Sequence, residues 1–468
     1  MANRYWVGGS GTWNTTSTTN WSAASGGSSG ASVPTAADSV YFDQAGTYTV
    51  TMTGALACLD FNVTAGTVTF ATGTGPTLAV SGSMSLISGT VWNSTGAVTF
   101  NATTAKTITT GGVTLDCPVT FSGVGGTWQL QDAMTLGSTR TATLTSGTLD
   151  LNGKTFTTGL FASSGSTART LAFGVGNITI NGAGGTLWTT ATATNLTVTG
   201  TPTVNISYNG ATATSVLTGA MSEANSISFN FTTGTYSLTF LGTASYTAKN
   251  VNFTGFTGTW AATSTGTIYG NLTIVSGMTL TASASAMTFG ATSGTKTITT
   301  NGKTLDFPVT FNGVGGTWQL QDNCTIGSTR TTTLTNGTLD LGNKVLSSGL
   351  FASTNSNTRT IAFGTGKITA TGNSATAIDM SNGTNLTTTG TVILEVTNAT
   401  ASGLSLGTTV GYWVEAKALP VTIGTSSGTA GIYVTNTASL TLAGVFGDVT
   451  FTGFTGTLAA STRTIYGN

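Results

Sequence analysis

One long unit is written twice in this sequence. Residues 106–140 read KTITTGGVTLDCPVTFSGVGGTWQLQDAMTLGSTR and residues 296–330 read KTITTNGKTLDFPVTFNGVGGTWQLQDNCTIGSTR, with 28 of 35 positions identical at a constant offset of 190. The same offset carries Gly159-Leu160-Phe161-Ala162-Ser163 onto Gly349-Leu350-Phe351-Ala352-Ser353, and Arg169 onto Arg359. Further on, Phe253 through Thr259 matches Phe451 through Thr457 at 198, and Thr267 through Asn271 matches Thr464 through Asn468 at 197. A fixed period marks a repeat architecture, and small drifts in offset are insertions that belong in loops. Four segments follow: 1–43, which stands apart; 44–105, the leading coils; 106–295, the first repeat unit; and 296–468, the second.

Within each unit a finer rhythm predicts strands. Thr127-Trp128-Gln129-Leu130-Gln131 and Thr143-Leu144-Thr145 alternate apolar and polar residues with period two. Gly, Asn-Gly or Gly-Thr interrupts such runs, as where Thr148-Leu149-Asp150-Leu151 meets Asn152-Gly153. No stretch has sustained helical periodicity. The fold class is therefore all-β. A string of β-sandwiches would close strand groups within about 100 residues. No linker or composition break divides the chain that way, so the reading is a β-solenoid, β-helix-like, with short strands of about 3–7 residues stacked as coils. At roughly 20 residues and about 4.8 Å per coil, the chain predicts an extended rod on the order of 110 Å.

Composition agrees. Charged residues are 6% of the chain, and formal net charge is zero. In stacked coils like residues lie above one another, so charges would repel whereas Thr and Asn form hydrogen-bonded ladders. The 14 basic residues are scattered, which argues against a nucleic-acid partner. No apolar run reaches the length of about 20 residues that spans a bilayer, so no membrane insertion is expected. The opening residues lack an apolar core and do not read as a secretory signal. Leu419-Pro420-Val421-Thr422 resembles a cell-wall sorting signal for four residues, without its final Gly. Cys117 falls opposite Phe307 and Cys324 opposite Met134, which makes them buried apolar positions rather than a disulfide framework.

Chemistry has few candidates. With no histidine, Ser-His-Asp and Cys-His arrangements are excluded, and no phosphate loop or calcium loop is present. No cofactor and no metal are expected. Glycan cleavage by paired carboxylates is the one enzymatic option. Its candidates Asp116, Asp132 and Asp150 recur as Asp306, Asp322 and Asp340. Lys106, Arg140, Lys154 and Arg169 recur as Lys296, Arg330, Lys344 and Arg359. A catalytic pair occurs once on a scaffold, so recurrence points to turn hydrogen bonds and local ion pairs, and the chain is not expected to be an enzyme. Glu223 and Glu395 are isolated. Glu415 and Lys417 sit beside Tyr412 and Trp413, read as a solvated turn rather than a surface site.

Residues 1–43 carry Trp6, Trp13 and Trp21, a Gly/Ser-rich stretch, then Pro34, Asp38 and Asp43. A raw solenoid end must be covered, and tryptophan is enriched at interface anchors, so the three tryptophans are read as capping the end, docking on a partner, or both. The opening RYWVGG, GTWN, NWS, GASVPT and DSVYFD, followed by the KTITT and GVGGTWQLQD blocks, resembles long repetitive structural proteins of tailed bacteriophages, marine ones especially, over nearly the whole chain. More weakly it resembles β-helical passenger segments of autotransporter adhesins. The phage resemblance implies a virion fibre or capsid decoration on the particle surface. It also implies attachment through the N-terminal segment to other virion proteins, contact with a host glycan or receptor, and a homo-oligomer. Thr464 through Asn468 is followed in the first unit by further strands, so the sequence predicts either a longer native protein or an end covered by another subunit.

Overall fold

The computed structural model describes residues 2–390 except Ala183, Thr243 and Asn373, then 393–397, and in backbone alone five strands between 402 and 465. The fold is an all-β solenoid of parallel strands. The chain forms two compact units, Met1–Tyr236 and Ser237–Asn468. Among the described residues the one helical turn is the 3-10 segment Glu223–Asn225.

From residue 39 to residue 218 each coil of the first unit has three strands, one per face. The N-terminal strands are β1 (Asn3–Trp6), β2 (Gly11–Trp13) and β3 (Trp21–Ser22). The next coil is β4 (Ser39–Phe42), β5 (Thr47–Met52) and β6 (Ala55–Cys58). These pair in parallel with Phe61–Val63, Thr67–Thr72 and Thr77–Val80 of the following coil. Period-two alternation sets what goes inside. In β5, Tyr48, Val50 and Met52 are buried while Thr49 and Thr51 face outward. Fully burying one such apolar side chain is worth about 1.5–3 kcal/mol. Parallel stacking then puts like on like, as in Phe100 over Phe121, ring centroids 5.5 Å apart and ring planes nearly parallel.

The two copies repeat this geometry step for step. Lys106 faces Trp128, Trp128 faces Leu149, Leu149 faces Leu171 and Arg169 faces Leu196, steps of 22, 21, 22 and 27 residues. In the second copy Lys296 faces Trp318, Trp318 faces Leu339, Leu339 faces Ile361 and Arg359 faces Leu386, the same four steps. Trp128 and Trp318 are both buried, as are Cys117 with Phe307 and Met134 with Cys324. Gly147 and Gly337 both sit at positive φ where the chain turns over Gly123 and Gly313, and a Cβ there would run into those glycines' carbonyl oxygens.

Strand length departs from expectation. Most strands have two to six residues, but Val309–Leu320 has 12 and Thr331–Asp340 has 10, each running through a corner where the first copy turns. Asn336 donates its amide to Asn312 Oδ1 at 2.7 Å across that corner, where the first copy has Ser146 and Ser122. This side-chain bond links neighbouring coils at the corner.

A second ladder explains a paired difference between the copies. Asn205 donates to Asn177 Oδ1 at 3.3 Å and Asn230 to Asn205 Oδ1 at 3.1 Å. The counterparts of Asn177 and Asn205 are Lys367 and Glu395, which form an ion pair at 2.7 Å with Thr369 also donating to the carboxylate. Both solutions fill the same cross-strand register. Asn177→Lys alone and Asn205→Glu alone are each expected to destabilise the first unit by about 0.5–1 kcal/mol, and the double variant to recover most of the loss. Urea unfolding of the four proteins checks this. Strictly additive losses would contradict the ladder.

Candidate functional site

The N-terminal segment is built into the solenoid. Strand β1 pairs in parallel with β4, and β2 with β5, and β2 is the outermost strand of its sheet. Strand β3 then folds back antiparallel on β1, placing Trp21 opposite Trp6, and is the outermost strand of that sheet. An antiparallel strand there covers an edge that would otherwise present unpaired backbone.

The three tryptophans lie inside. Trp6 and Trp21 are 0% exposed and Trp13 is 1% exposed. Trp21 meets Trp6 edge-on at 5.2 Å and Trp13 edge-on at 5.3 Å, and all three contact Phe42. Trp6 Nε1 donates to the Gly9 carbonyl at 2.7 Å. Trp21 Nε1 is buried with no acceptor. What the segment presents outward is therefore its polar loop, not its indoles.

Polar contacts hold that loop. Arg4 Nε donates to the Ser32 carbonyl at 2.9 Å and Arg4 Nη2 to Ser32 Oγ at 2.7 Å. Asp38 accepts from the Ala2 amide and from the Thr35 amide and hydroxyl. Burial alone would raise the Asp38 carboxyl. The Thr35 and Ala2 hydrogen bonds, with Arg4 nearby, hold it below its usual value. A lowered carboxyl stabilises the fold above its unfolded value of about 3.9, and that contribution is lost as pH falls through the folded value.

The recurring aspartates and arginines each have a bonding role, repeated in both copies. Arg140 bridges Asp116 and Arg330 bridges Asp306, both at 2.8 Å. The Arg140 hydrogen bond lowers the Asp116 carboxyl. Asp132 accepts from the amides of Thr110 and Gly111, and Asp322 from those of Thr300 and Asn301. Asp150 accepts from Gln129 at 2.9 Å and Asp340 from Gln319 at 2.7 Å. The amides of Lys154 and Lys344 donate to Leu151 and Leu341 in matching turns. Lys106 and Lys296 stand in register with Trp128 and Trp318.

Arg169 and Arg359 are the exceptions in kind. They are 2% and 1% exposed, with no carboxylate partner among the described residues. Each guanidinium donates instead to a serine hydroxyl, Ser163 or Ser353, and to a ring of backbone carbonyls. Burial lowers both from the ordinary arginine value. Recurrence in the sequence marked these arginines, but nothing in it distinguished a buried clamp from a surface charge.

The cysteines are free and buried, and burial pushes Cys117 and Cys324 up to about 12 and Cys58 higher still. Glu223 opens the 3-10 turn, where Ser226 Oγ donates to its carbonyl. Tyr412, Trp413, Glu415 and Lys417 lie outside the described residues. Among the described residues no cluster of Cys, Asp and Glu could hold a metal ion, and no helix is long and apolar enough to cross a membrane. Set against protein-family models, curated proteins and solved structures, the chain matches none of them.

Proposed function

We propose that this chain is a structural component of a bacteriophage virion, a tail fibre or a capsid decoration on the particle surface, contributing to attachment to the host. The observation that carries the reading is the use made of the charged residues. Asp116, Asp132, Asp150, Arg140 and Arg169, with their counterparts in the second copy, join coil to coil or pin loops. A repeat that uses its scarce charges this way is a scaffold rather than a catalyst. The resemblance of the opening residues and repeat blocks to phage structural proteins supplies the virion setting. In this reading the polar loop held by Arg4 and Asp38 joins the solenoid to other virion proteins, and the coils carry contacts to a host glycan, a receptor or further copies of the chain.

Immunogold electron microscopy of purified particles tests the proposal. Label is expected at a fixed place on the particle, and recovery of the chain apart from particles would overturn it. Incubation of the purified protein with host-surface polysaccharide is expected to release no new reducing ends. Their appearance would instead favour a glycan-degrading tailspike.

A further inference from the structure

Asparagine is followed by glycine at seven places in the chain. Such a pair can react with itself. The glycine amide nitrogen attacks the asparagine Cγ, a C–N bond forms, and the side-chain nitrogen leaves as ammonia, taking the amide proton. Water then opens either C–N bond of the cyclic imide, leaving aspartate or isoaspartate. Glycine suits the attack because no Cβ hinders its amide. The sequence makes the seven pairs alike, and the fold separates them. We infer that Asn209, ahead of Gly210, is the site at which the native chain deamidates.

The other six pairs are held. Asn152 donates its side-chain amide to the Leu130 carbonyl at 3.1 Å, and Asn301 to the Ile274 carbonyl at 2.6 Å. Asn336 donates to Asn312 Oδ1 at 2.7 Å, which fixes both side chains, and the Gly337 amide donates to the Thr358 carbonyl. Asn382 Oδ1 accepts from the Thr384 amide at 3.0 Å, and the Asn382 carbonyl accepts from Arg359. At Asn181 the nucleophile itself is engaged, because the Gly182 amide donates to the Gly159 carbonyl at 3.0 Å. Attack requires such bonds to open first, which lowers the reactive population severalfold.

Asn209 and Gly210 lie in the loop between strands Thr203–Ile206 and Thr214–Thr218. Asn209 is exposed, and neither its side chain nor the Gly210 amide has a hydrogen-bond partner. The ends of the loop are anchored instead. The Ser207 amide donates to the Ile180 carbonyl at 2.8 Å, and the Thr212 amide to Tyr208 Oη at 3.2 Å. Tyr208 is buried, its ring centroid 5.0 Å from that of Tyr236. The reacting residues thus project from a fixed base, outside the ladders that join the coils. The extra main-chain methylene of an isoaspartate falls where no ladder bond is lost, and the new carboxylate stands in solvent. Conversion at Asn209 therefore adds a negative charge to a chain of zero formal net charge and leaves the fold in place.

The test is to age the purified full chain at mildly alkaline pH and withdraw samples at intervals. Mass spectrometry of acidic digests then quantifies aspartate and isoaspartate at each Asn–Gly pair. Asn209 is expected to convert at least about fivefold faster than any of the other six, with an unchanged melting temperature. In urea the seven rates should converge, because unfolding releases the held groups. Asn209→Ser should abolish the first acidic species that ion exchange resolves from the ageing protein. Faster conversion at any other pair, a lead for Asn209 that persists unchanged in urea, or a melting temperature that falls as Asn209 converts would each overturn the inference.

Discussion

Arg169→Met is expected to destabilise the first unit by about 3–5 kcal/mol, the scale of breaking a buried charged network. The side chain donates to Ser163 Oγ at 2.8 Å, the Ser163 carbonyl at 3.3 Å, the Thr167 carbonyl at 2.9 Å, and the carbonyls of Gly165, Thr192 and Thr194. Methionine fills similar volume but leaves these acceptors unpaired, at about 1–3 kcal/mol for each that water cannot reach. The site lies where the coil step lengthens to 27 residues, so the extra chain is what the guanidinium gathers. Arg359 makes the same clamp with different neighbours, Asn357 and Asn382 standing in place of Thr167 and Thr192, because the acceptors are backbone oxygens. Arg169→Lys should recover less than half, since an ammonium cannot span a planar fork of acceptors. Hydrogen exchange over residues 160–199 reads the loss locally, which suits a stacked repeat whose coils open independently. A loss under about 1 kcal/mol would contradict the clamp.

The second large effect is at the N-terminal cluster. Trp21→Ala is expected to cost about 3–5 kcal/mol, because it empties the centre of a buried aromatic group. Trp21→Phe should be much milder than Trp6→Phe, although both positions are 0% exposed. Trp21 carries a buried N–H with no acceptor, so phenylalanine removes an unsatisfied donor along with some volume. Trp6 donates to Gly9 at 2.7 Å, and phenylalanine there strands that carbonyl. Thermal unfolding of the three variants checks the order: Trp21→Ala lowest, then Trp6→Phe, then Trp21→Phe. Equal effects of the two phenylalanine variants would contradict the account.

Parallel stacking made much of the fold readable. Where Cys117 and Phe307 occupy equivalent places, a position that accepts both must be apolar and enclosed, and both are buried. Alternation at Thr127 through Leu130 marked inward Trp128 and Leu130 correctly. Asp132 and Asp150 were readable as turn and ladder residues because they recur with their partners Thr110 and Gln129. Less local features were hidden. That Arg169 turns inward depends on the path of a loop some 23 residues further on, which alternation does not report. The three-sided coil is hidden as well, because corners are set by which glycines pass under a neighbour's carbonyl.

The central claim is that both copies stack the same coils in the same register, and spin-label distances test it most directly. Ala105, Thr127, Thr148, Thr170 and Thr197 form one outward column. Thr295, Thr317, Thr338, Thr360 and Thr387 form its counterpart. Labels are placed on Ala105→Cys with Thr197→Cys, and separately on Thr295→Cys with Thr387→Cys, the native thiols being buried. Four coil steps of about 4.8 Å put each pair of backbones about 19 Å apart, and the two distance distributions should coincide. Distributions that differ between the copies, or that centre beyond about 30 Å, would contradict the stacked solenoid.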